Sequence, residues 1–174
     1  MNDVVLISRA ADFAAQRHAD QRRKGSSREP YVNHLSEVAR RLAKATDGSD
    51  APLVAAGWLH DTIEDTATSR DDLTLEFGDD VASLVEEVTD DKTLPKAERK
   101  RLQVVETPKK SRRARMIKIA DLTSNLRSLP DDWERERIVD YFDWADKVMA
   151  GCRGVNSELE RNYDEVASSG RATL

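Results

Sequence analysis

The chain has 174 residues, of which 39% are hydrophobic and 35% charged, and its formal net charge is −5. This length fits one helix-rich domain that buries about two-thirds of its unfolded surface. The negative charge argues against broad nucleic-acid binding, and the longest apolar runs are too short to cross a bilayer. Cys152 is the only cysteine, which excludes an intrachain disulfide and fits the cytoplasmic location we expect.

Apolar residues recur at helical spacing along the first third of the chain. The first predicted helix ends near His18. A basic, Gly/Ser-containing loop, 20–30, separates it from a second helix that follows Pro30. Asp50 and Pro52 then predict the N-terminus of a central, strongly apolar helix.

The rest of the chain continues the helical pattern. Helices are expected to stop at Gly78 and at residues 89–91, to begin at Pro95 and near Ser111, and to run from 130–132 to about Gly151 or Gly154. A last helix covers about 157–166, and residues 168–174 are expected to form a frayed tail. No stretch alternates with a period of two over more than a few residues, so no significant sheet is predicted. The sequence therefore predicts a single all-α domain, 1–174, of about 8–10 helices.

The most informative stretch is 58–66 (WLHDTIEDT), in which His60, Asp61, Glu64 and Asp65 interrupt an apolar segment. In a helix, His60 lies one turn from Glu64, and Asp61 lies one turn from Asp65. Residues 53–59 read as buried on most sides, which leaves no solvated face for the acids. Buried carboxylates repel each other unless a cation lies among them. A divalent metal ion is therefore favoured over a surface cluster of polar residues.

Two further segments contain residue types that bind metals. His34 lies at the start of the second predicted helix, and Asp121 lies one turn before Asn125 after an apolar run. With His60 and Asp61 they supply two imidazoles and two carboxylates, a donor set that suits a divalent transition metal. A single histidine is more often a core or capping residue than a ligand, so the combination of residues from three helices carries this interpretation.

The order of these residues, H…HD…D, is similar to that of the HD phosphohydrolase superfamily. Around them, the segments 21–24 (QRRK), 31–34 (YVNH), 59–66 (LHDTIEDT) and 88–92 (VTDDK) resemble the hydrolase domain of RelA/SpoT-type proteins. The segments 94–100 (LPKAERK) and 133–145 resemble the stand-alone small alarmone hydrolases, including metazoan SpoT homologues. The resemblance covers residues 10–160 and implies an HD-type helical bundle.

The resemblance also implies an activity, which is removal of the 3′-diphosphate from ppGpp or pppGpp to give GDP or GTP plus pyrophosphate. It implies one Mn²⁺ ion, with four ligands: His34, His60, Asp61 and Asp121. Glu64 and Asp65 resemble the pair that orients and deprotonates the metal-bound water, a role that suits carboxylates one turn from the ligands. The implied partner is a small nucleotide, with no nucleic acid or membrane, and a homodimer is left open.

Five residues match family positions that contact substrate: Arg23, Lys24, Asn125, Arg137 and Tyr141. The first two lie in the basic loop, where cations would offset an anionic substrate, although such loops are often merely solvated. The last two share a face of the long helix with Trp133, and aromatic residues at this spacing are more often core residues. The roles of Trp133 and Lys92 stay open at this point.

The sequence departs from the family pattern at Gly25, Leu35 and Leu122, where an acid, a proline and a basic residue are usual. These departures leave open the substrate preference, including ppGpp against pppGpp. One alternative is an HD-type phosphohydrolase for another nucleotide such as NADPH. A second is a non-catalytic alarmone-binding protein, which normally would have lost a ligand or one of the two acids. A generic helical interaction module would leave residues 60–65 unexplained.

Overall fold

The computed structural model describes residues 2–174 and is all-α, as predicted. The described residues contain ten α-helices, a short 3₁₀ helix, Thr107–Lys109, and no strand, only one isolated antiparallel bridge between Arg22 and Pro30. The α-helices are α1 Asp3–Arg17, α2 Val32–Ala45, α3 Ala51–Leu59, α4 Thr62–Asp65, α5 Arg70–Phe77, α6 Asp79–Val88, α7 Lys96–Glu106, α8 Arg112–Arg127, α9 Arg135–Ala150 and α10 Ser157–Ala172. In residues 2–174, no helix has the length and apolar character that a membrane span needs.

Helix α3 lies in the centre of the bundle and brings the motif at 60–65 into the interior. The Asp50 carboxylate caps its N-terminus by accepting the Leu53 N–H at 3.1 Å. The helix packs against α1, α2, α6 and α8. Gly57 allows α2 and α3 to approach closely, since a Cβ atom there would lie 2.6 Å from Leu42 Cδ1 and 3.3 Å from the backbone of Ala39. This close packing fixes α2, which carries His34, against the helix that leads into His60.

The predicted continuous helix through residues 60–65 is wrong, because the helix is interrupted at His60 and Asp61. Helix α3 ends at Leu59 and α4 begins at Thr62. The His60 ring folds back so that its Nδ1 lies 2.8 Å from the Gly57 carbonyl oxygen. The Asp65 N–H still donates to the Asp61 carbonyl at 2.9 Å. Asp61 and Asp65 therefore remain one turn apart.

Two other boundaries differ from the prediction. Helix α9 begins at Arg135, so Trp133 lies in the preceding turn rather than on the helix. The expected frayed tail, 168–174, is helical as far as Ala172. The Arg171 guanidinium forms ion pairs with Asp143, at 2.9 Å, and with Asp146, at 2.6 Å. The same guanidinium lies over the Phe142 ring. These contacts attach the end of α10 to α9.

Candidate active site

The four predicted metal ligands converge from α2, the α3–α4 junction and α8. His34 Nε2 lies 3.2 Å from His60 Nε2 and 3.3 Å from Asp121 Oδ1. Asp61 Oδ2 lies 3.1 Å from His60 Nε2 and 3.6 Å from His34 Nε2. The donor atoms of His34, His60 and Asp121 all lie within 4.8 Å of one another. Two ring nitrogens and one carboxylate thus form a mutually close group, and the Asp61 carboxylate adjoins it through its contacts with both histidines.

Hydrogen bonds on the far side of each ring fix both histidines. His60 Nδ1 faces the Gly57 carbonyl, which can only accept a hydrogen bond, so Nδ1 carries a proton. The other ring nitrogen, Nε2, faces the remaining candidate metal ligands. His34 Nδ1 lies 2.9 Å from Ser124 Oγ. The Tyr31 hydroxyl donates to Asp61 Oδ2 at 2.7 Å. Each of these contacts orients a candidate ligand, as is usual for the groups that surround a metal site.

The buried charges at this point require a positive partner. Burial opposes ionisation of the Asp61 and Asp121 carboxyls, but His60 and His34 beside Asp61, and Lys118 beside Asp121, hold both pKa values well below the usual range. Burial would lower the pKa of His60, yet Asp61 and Asp121 raise it well above its ordinary value. A site that binds a proton this strongly between carboxylates also suits a divalent cation, whose charge can replace that proton. The residues therefore fit the metal that the sequence implies.

Glu64 and Asp65, the predicted pair of proton-handling acids, lie in α4 beside the four ligands. Burial and the neighbouring Asp61 carboxylate raise the pKa of Glu64 to about 7, although the Asp90 N–H donates to its Oε2 at 3.2 Å. Asp65 accepts hydrogen bonds from the Lys92 ammonium and from Gln21 Nε2, the latter at 3.4 Å. Glu64 also lies 3.9 Å from the Arg99 guanidinium, a longer contact than the Lys92–Asp65 ion pair. With its raised pKa, Glu64 is the acid suited to exchange a proton near neutral pH.

A cavity of about 710 Å³ opens in front of these groups and is lined by all five predicted substrate contacts. They lie on the loop before α2, on α8 and on α9: Arg23, Lys24, Asn125, Arg137 and Tyr141. The Asn125 amide donates to Asp121 Oδ1 at 2.7 Å and accepts from Arg23 at 3.3 Å. Trp133 also lines the cavity, with the Arg137 guanidinium 3.9 Å above its ring centre and Tyr141 5.6 Å away. The predicted contacts therefore share one cavity with three of the four candidate ligands, His60, Asp61 and Asp121.

One wall of the cavity is cationic, and the sequence predicted only two of its residues, Lys24 and Arg137. Lys96 and Lys100, on α7, line it together with Lys24 and Arg137. Among residues 2–174, no carboxylate forms an ion pair with Lys24, Lys96 or Lys100. Burial, together with neighbouring cations, lowers the pKa of Lys96 and of Lys100. Clustered cations without acidic partners favour an anionic ligand at this wall.

Helix α7 is held in place by an aromatic clamp, formed by Tyr141 and Trp144 of α9. Lys100 Nζ lies 5.2 Å from the centre of the Tyr141 ring and 4.6 Å from that of the Trp144 ring. The Trp144 indole N–H donates to the Lys100 carbonyl at 3.1 Å. Lys118, on α8, is buried, with its Nζ 3.4 Å from Asp121 Oδ2.

The departures from the family pattern have structural explanations. Leu35 and Leu122 are buried in the hydrophobic core and do not line the cavity. Gly25 has φ of +102°, which favours glycine, and a Cβ atom there would lie 3.2 Å from Asp131 Oδ1. The Asp131 carboxylate also accepts the Ser26 N–H at 2.9 Å. The basic loop is thus attached to the turn before α9.

Fold and site together define a helical domain with a buried histidine–carboxylate centre beside a cavity that has a cationic wall. Residues 10–146 match the HD domain family. The guanosine-3′,5′-bis(diphosphate) 3′-pyrophosphohydrolases MESH1 of Xenopus tropicalis and Homo sapiens are each 47% identical to this chain, over 95% and 91% of it and over 94% and 91% of their own lengths. A solved structure of a metazoan SpoT ortholog, described as hydrolysing ppGpp, is 43% identical, with a TM-score of 0.90 and 97% of each chain covered.

The chain therefore belongs to the HD domain family and, within it, to the group of these MESH1 proteins.

Proposed function

We propose that the chain is a metal-dependent (p)ppGpp 3′-pyrophosphohydrolase, which converts ppGpp or pppGpp to GDP or GTP and pyrophosphate. The observation that carries this proposal is a cluster of two imidazole nitrogens and two carboxylates that borders a cavity with an unpaired cationic wall. The activity named for the MESH1 relatives supports the same substrate.

Four residues would hold one divalent cation, for which we propose Mn²⁺: His34, His60, Asp61 and Asp121. A bound divalent cation lowers the pKa of a water molecule toward neutrality and offsets phosphate charge. Mixed imidazole and carboxylate ligands suit a transition metal better than Ca²⁺ or Mg²⁺, which prefer oxygen.

The chain's own acids handle the proton of the attacking water. Glu64, whose pKa is about 7 without a metal, can accept this proton as the water attacks the phosphorus bonded to the ribose 3′ oxygen. That P–O bond breaks, and the 3′ oxygen leaves as a hydroxyl group after taking up a proton. Asp65, held by Lys92, orients the water beside Glu64.

The cationic wall provides a binding place for the second phosphate group of the substrate. A nucleotide with diphosphates on both its 3′ and 5′ oxygens can present one to the ligands and the other to Lys96 and Lys100. Arg23 and Lys24 offset the remaining charge. Tyr141 and Trp133 offer ring faces to the base or ribose. A cytoplasmic location is part of this proposal, and a homodimer stays a prediction.

We expect the Mn²⁺-loaded protein to show a kcat/KM for ppGpp at least about tenfold higher than for NADPH. The reason is one additional charge-assisted contact at the cationic wall, worth about 1.5–3 kcal/mol. Steady-state kinetics with both substrates, with quantification of GDP, pyrophosphate and orthophosphate, checks this expectation. A higher kcat/KM for NADPH would assign the centre to the alternative substrate, and binding of ppGpp without turnover would indicate a sensor.

A further inference from the structure

Behind His34 lies a hydrogen-bonded chain that neither the sequence pattern nor the proposed mechanism uses. His34 Nδ1 lies 2.9 Å from Ser124 Oγ, and Ser124 Oγ donates to Glu37 Oε2 at 2.8 Å. The other carboxylate oxygen, Glu37 Oε1, accepts two hydrogen bonds from Arg41, at 2.7 and 3.3 Å, and one from Arg127, at 2.7 Å. His34 and Ser124 are buried, with exposed fractions of 2% and 1%. This series of hydrogen bonds therefore connects the surface guanidinium of Arg127 to the candidate metal centre.

The charge on Glu37 sets the direction of every hydrogen bond in this series from Arg127 to His34. Two guanidinium groups beside Oε1 keep the carboxylate ionised, and an ionised carboxylate can only accept. Ser124 has a single proton, which it donates to Glu37. Its oxygen is then available only as an acceptor toward His34, so the proton of the neutral imidazole must lie on Nδ1.

We propose that Glu37, acting through Ser124, is a positioning residue that holds His34 in the Nδ1-protonated tautomer and so presents Nε2 to the divalent cation. This inference rests on the proposed metal centre. The two histidines are positioned by different means, because His60 faces a backbone carbonyl, which no side-chain substitution removes. Only His34 depends on a titratable side chain at a distance, and its tautomer can therefore be reversed by substitution.

Glu37→Gln is the sharpest test, because it keeps the shape of the side chain and reverses the direction of the hydrogen bonds between residue 37, Ser124 and His34. Arg41 and Arg127 both donate to the Oε1 position, so the amide oxygen should occupy that side and the NH₂ group should face Ser124. Ser124 then accepts from the amide and donates to His34 Nδ1, which moves the imidazole proton to Nε2. We expect Mn²⁺ affinity to fall about 10- to 100-fold, the usual effect of losing a partner that orients a ligand.

Two measurements on the full chain check this expectation. Mn²⁺ titration gives the affinity, and long-range ¹H–¹⁵N NMR of the metal-free protein gives the tautomer of His34, which a merely structural role would not change. Glu158→Gln is the control, because the Glu158 carboxylate, on α10, pairs at 2.8 Å with Lys44, which lies near the C-terminus of α2 and outside the hydrogen-bonded relay. The control should keep wild-type affinity and an Nδ1-protonated His34. A folded Glu37→Gln protein with wild-type affinity and tautomer would overturn the proposal.

A second variant pair keeps the test decisive if Glu37→Gln does not fold. Ser124→Ala removes the relay hydroxyl, whereas Thr123→Val removes an adjacent buried hydroxyl that donates only to the Ile119 carbonyl. Ser124→Ala should weaken Mn²⁺ binding about 10-fold or more, with no change for Thr123→Val. Equal affinity in the two variants would contradict the relay. Since the tautomer is read without metal, a wild-type protein that binds no Mn²⁺ would refute the metal centre while the tautomer still decides the relay.

Discussion

Asp61→Ala is expected to lower divalent-cation affinity by more than about 100-fold and to reduce ppGpp turnover to background. The substitution removes a ligand that lies 3.1 Å from His60 Nε2, and losing a ligand costs more than the 10- to 100-fold typical of an outer partner. It also leaves the Tyr31 hydroxyl without its acceptor in a mostly buried position. Mn²⁺ titration and release of pyrophosphate measure the two effects.

The matched control for Asp61→Ala is Glu86→Ala, which removes an exposed carboxylate paired with Arg70 at the surface. Exposed ion pairs contribute about 0–1 kcal/mol, so this variant should retain both cation binding and turnover. Retention of wild-type Mn²⁺ affinity by the Asp61 variant would remove Asp61 from the ligand set.

Glu64→Ala should separate binding from chemistry. Since Glu64 is not one of the four ligands, the variant should bind Mn²⁺ with affinity close to the wild type. Its kcat should fall by about 10²–10⁴-fold, the range expected for a lost general base. Parallel Mn²⁺ titrations and kcat measurements at saturating ppGpp test this separation. If kcat stayed near the wild-type value, Glu64 would not be the proton acceptor.

The pH dependence of the ppGpp hydrolysis rate tests the role of Glu64 independently. A general base acts in its deprotonated form, so the rate should rise with pH as Glu64 loses its proton. Burial and Asp61 raise the pKa of Glu64 to about 7 without a metal, and a divalent cation nearby lowers it. The ascending limb of the wild-type profile should therefore lie at about pH 7 or below, and it should disappear in Glu64→Ala.

The clustering of His34, His60, Asp61 and Asp121 could be predicted because these residues belong to short, distinctive patterns. His60 and Asp61 are adjacent in an apolar segment that offers no solvated face. The helix break at these residues could not be foreseen from periodicity, since it depends on the His60 ring turning back to a carbonyl of its own helix. Such local hydrogen bonds compete with regular helix geometry without changing the spacing of apolar residues.

The partners of the centre depend on contacts between residues far apart in the chain. Ser124 meets Glu37 across 87 residues, and a glutamate on an amphipathic helix resembles any solvated side chain in sequence. Likewise, Lys100 belongs to the cavity because Trp144, 44 residues away, holds α7 in place. Helix α7 has no fully buried residue, so its own sequence does not indicate where it packs. Tertiary packing supplies this information, and spacing alone does not.

The most direct measurement is release of pyrophosphate from ppGpp by the purified, EDTA-stripped protein, with and without added Mn²⁺. We predict equimolar GDP and pyrophosphate on addition of Mn²⁺, and no release without it. Undiminished release from the metal-free protein would contradict the role of the histidine–carboxylate centre. A metal-loaded protein that leaves ppGpp intact would contradict the proposed substrate.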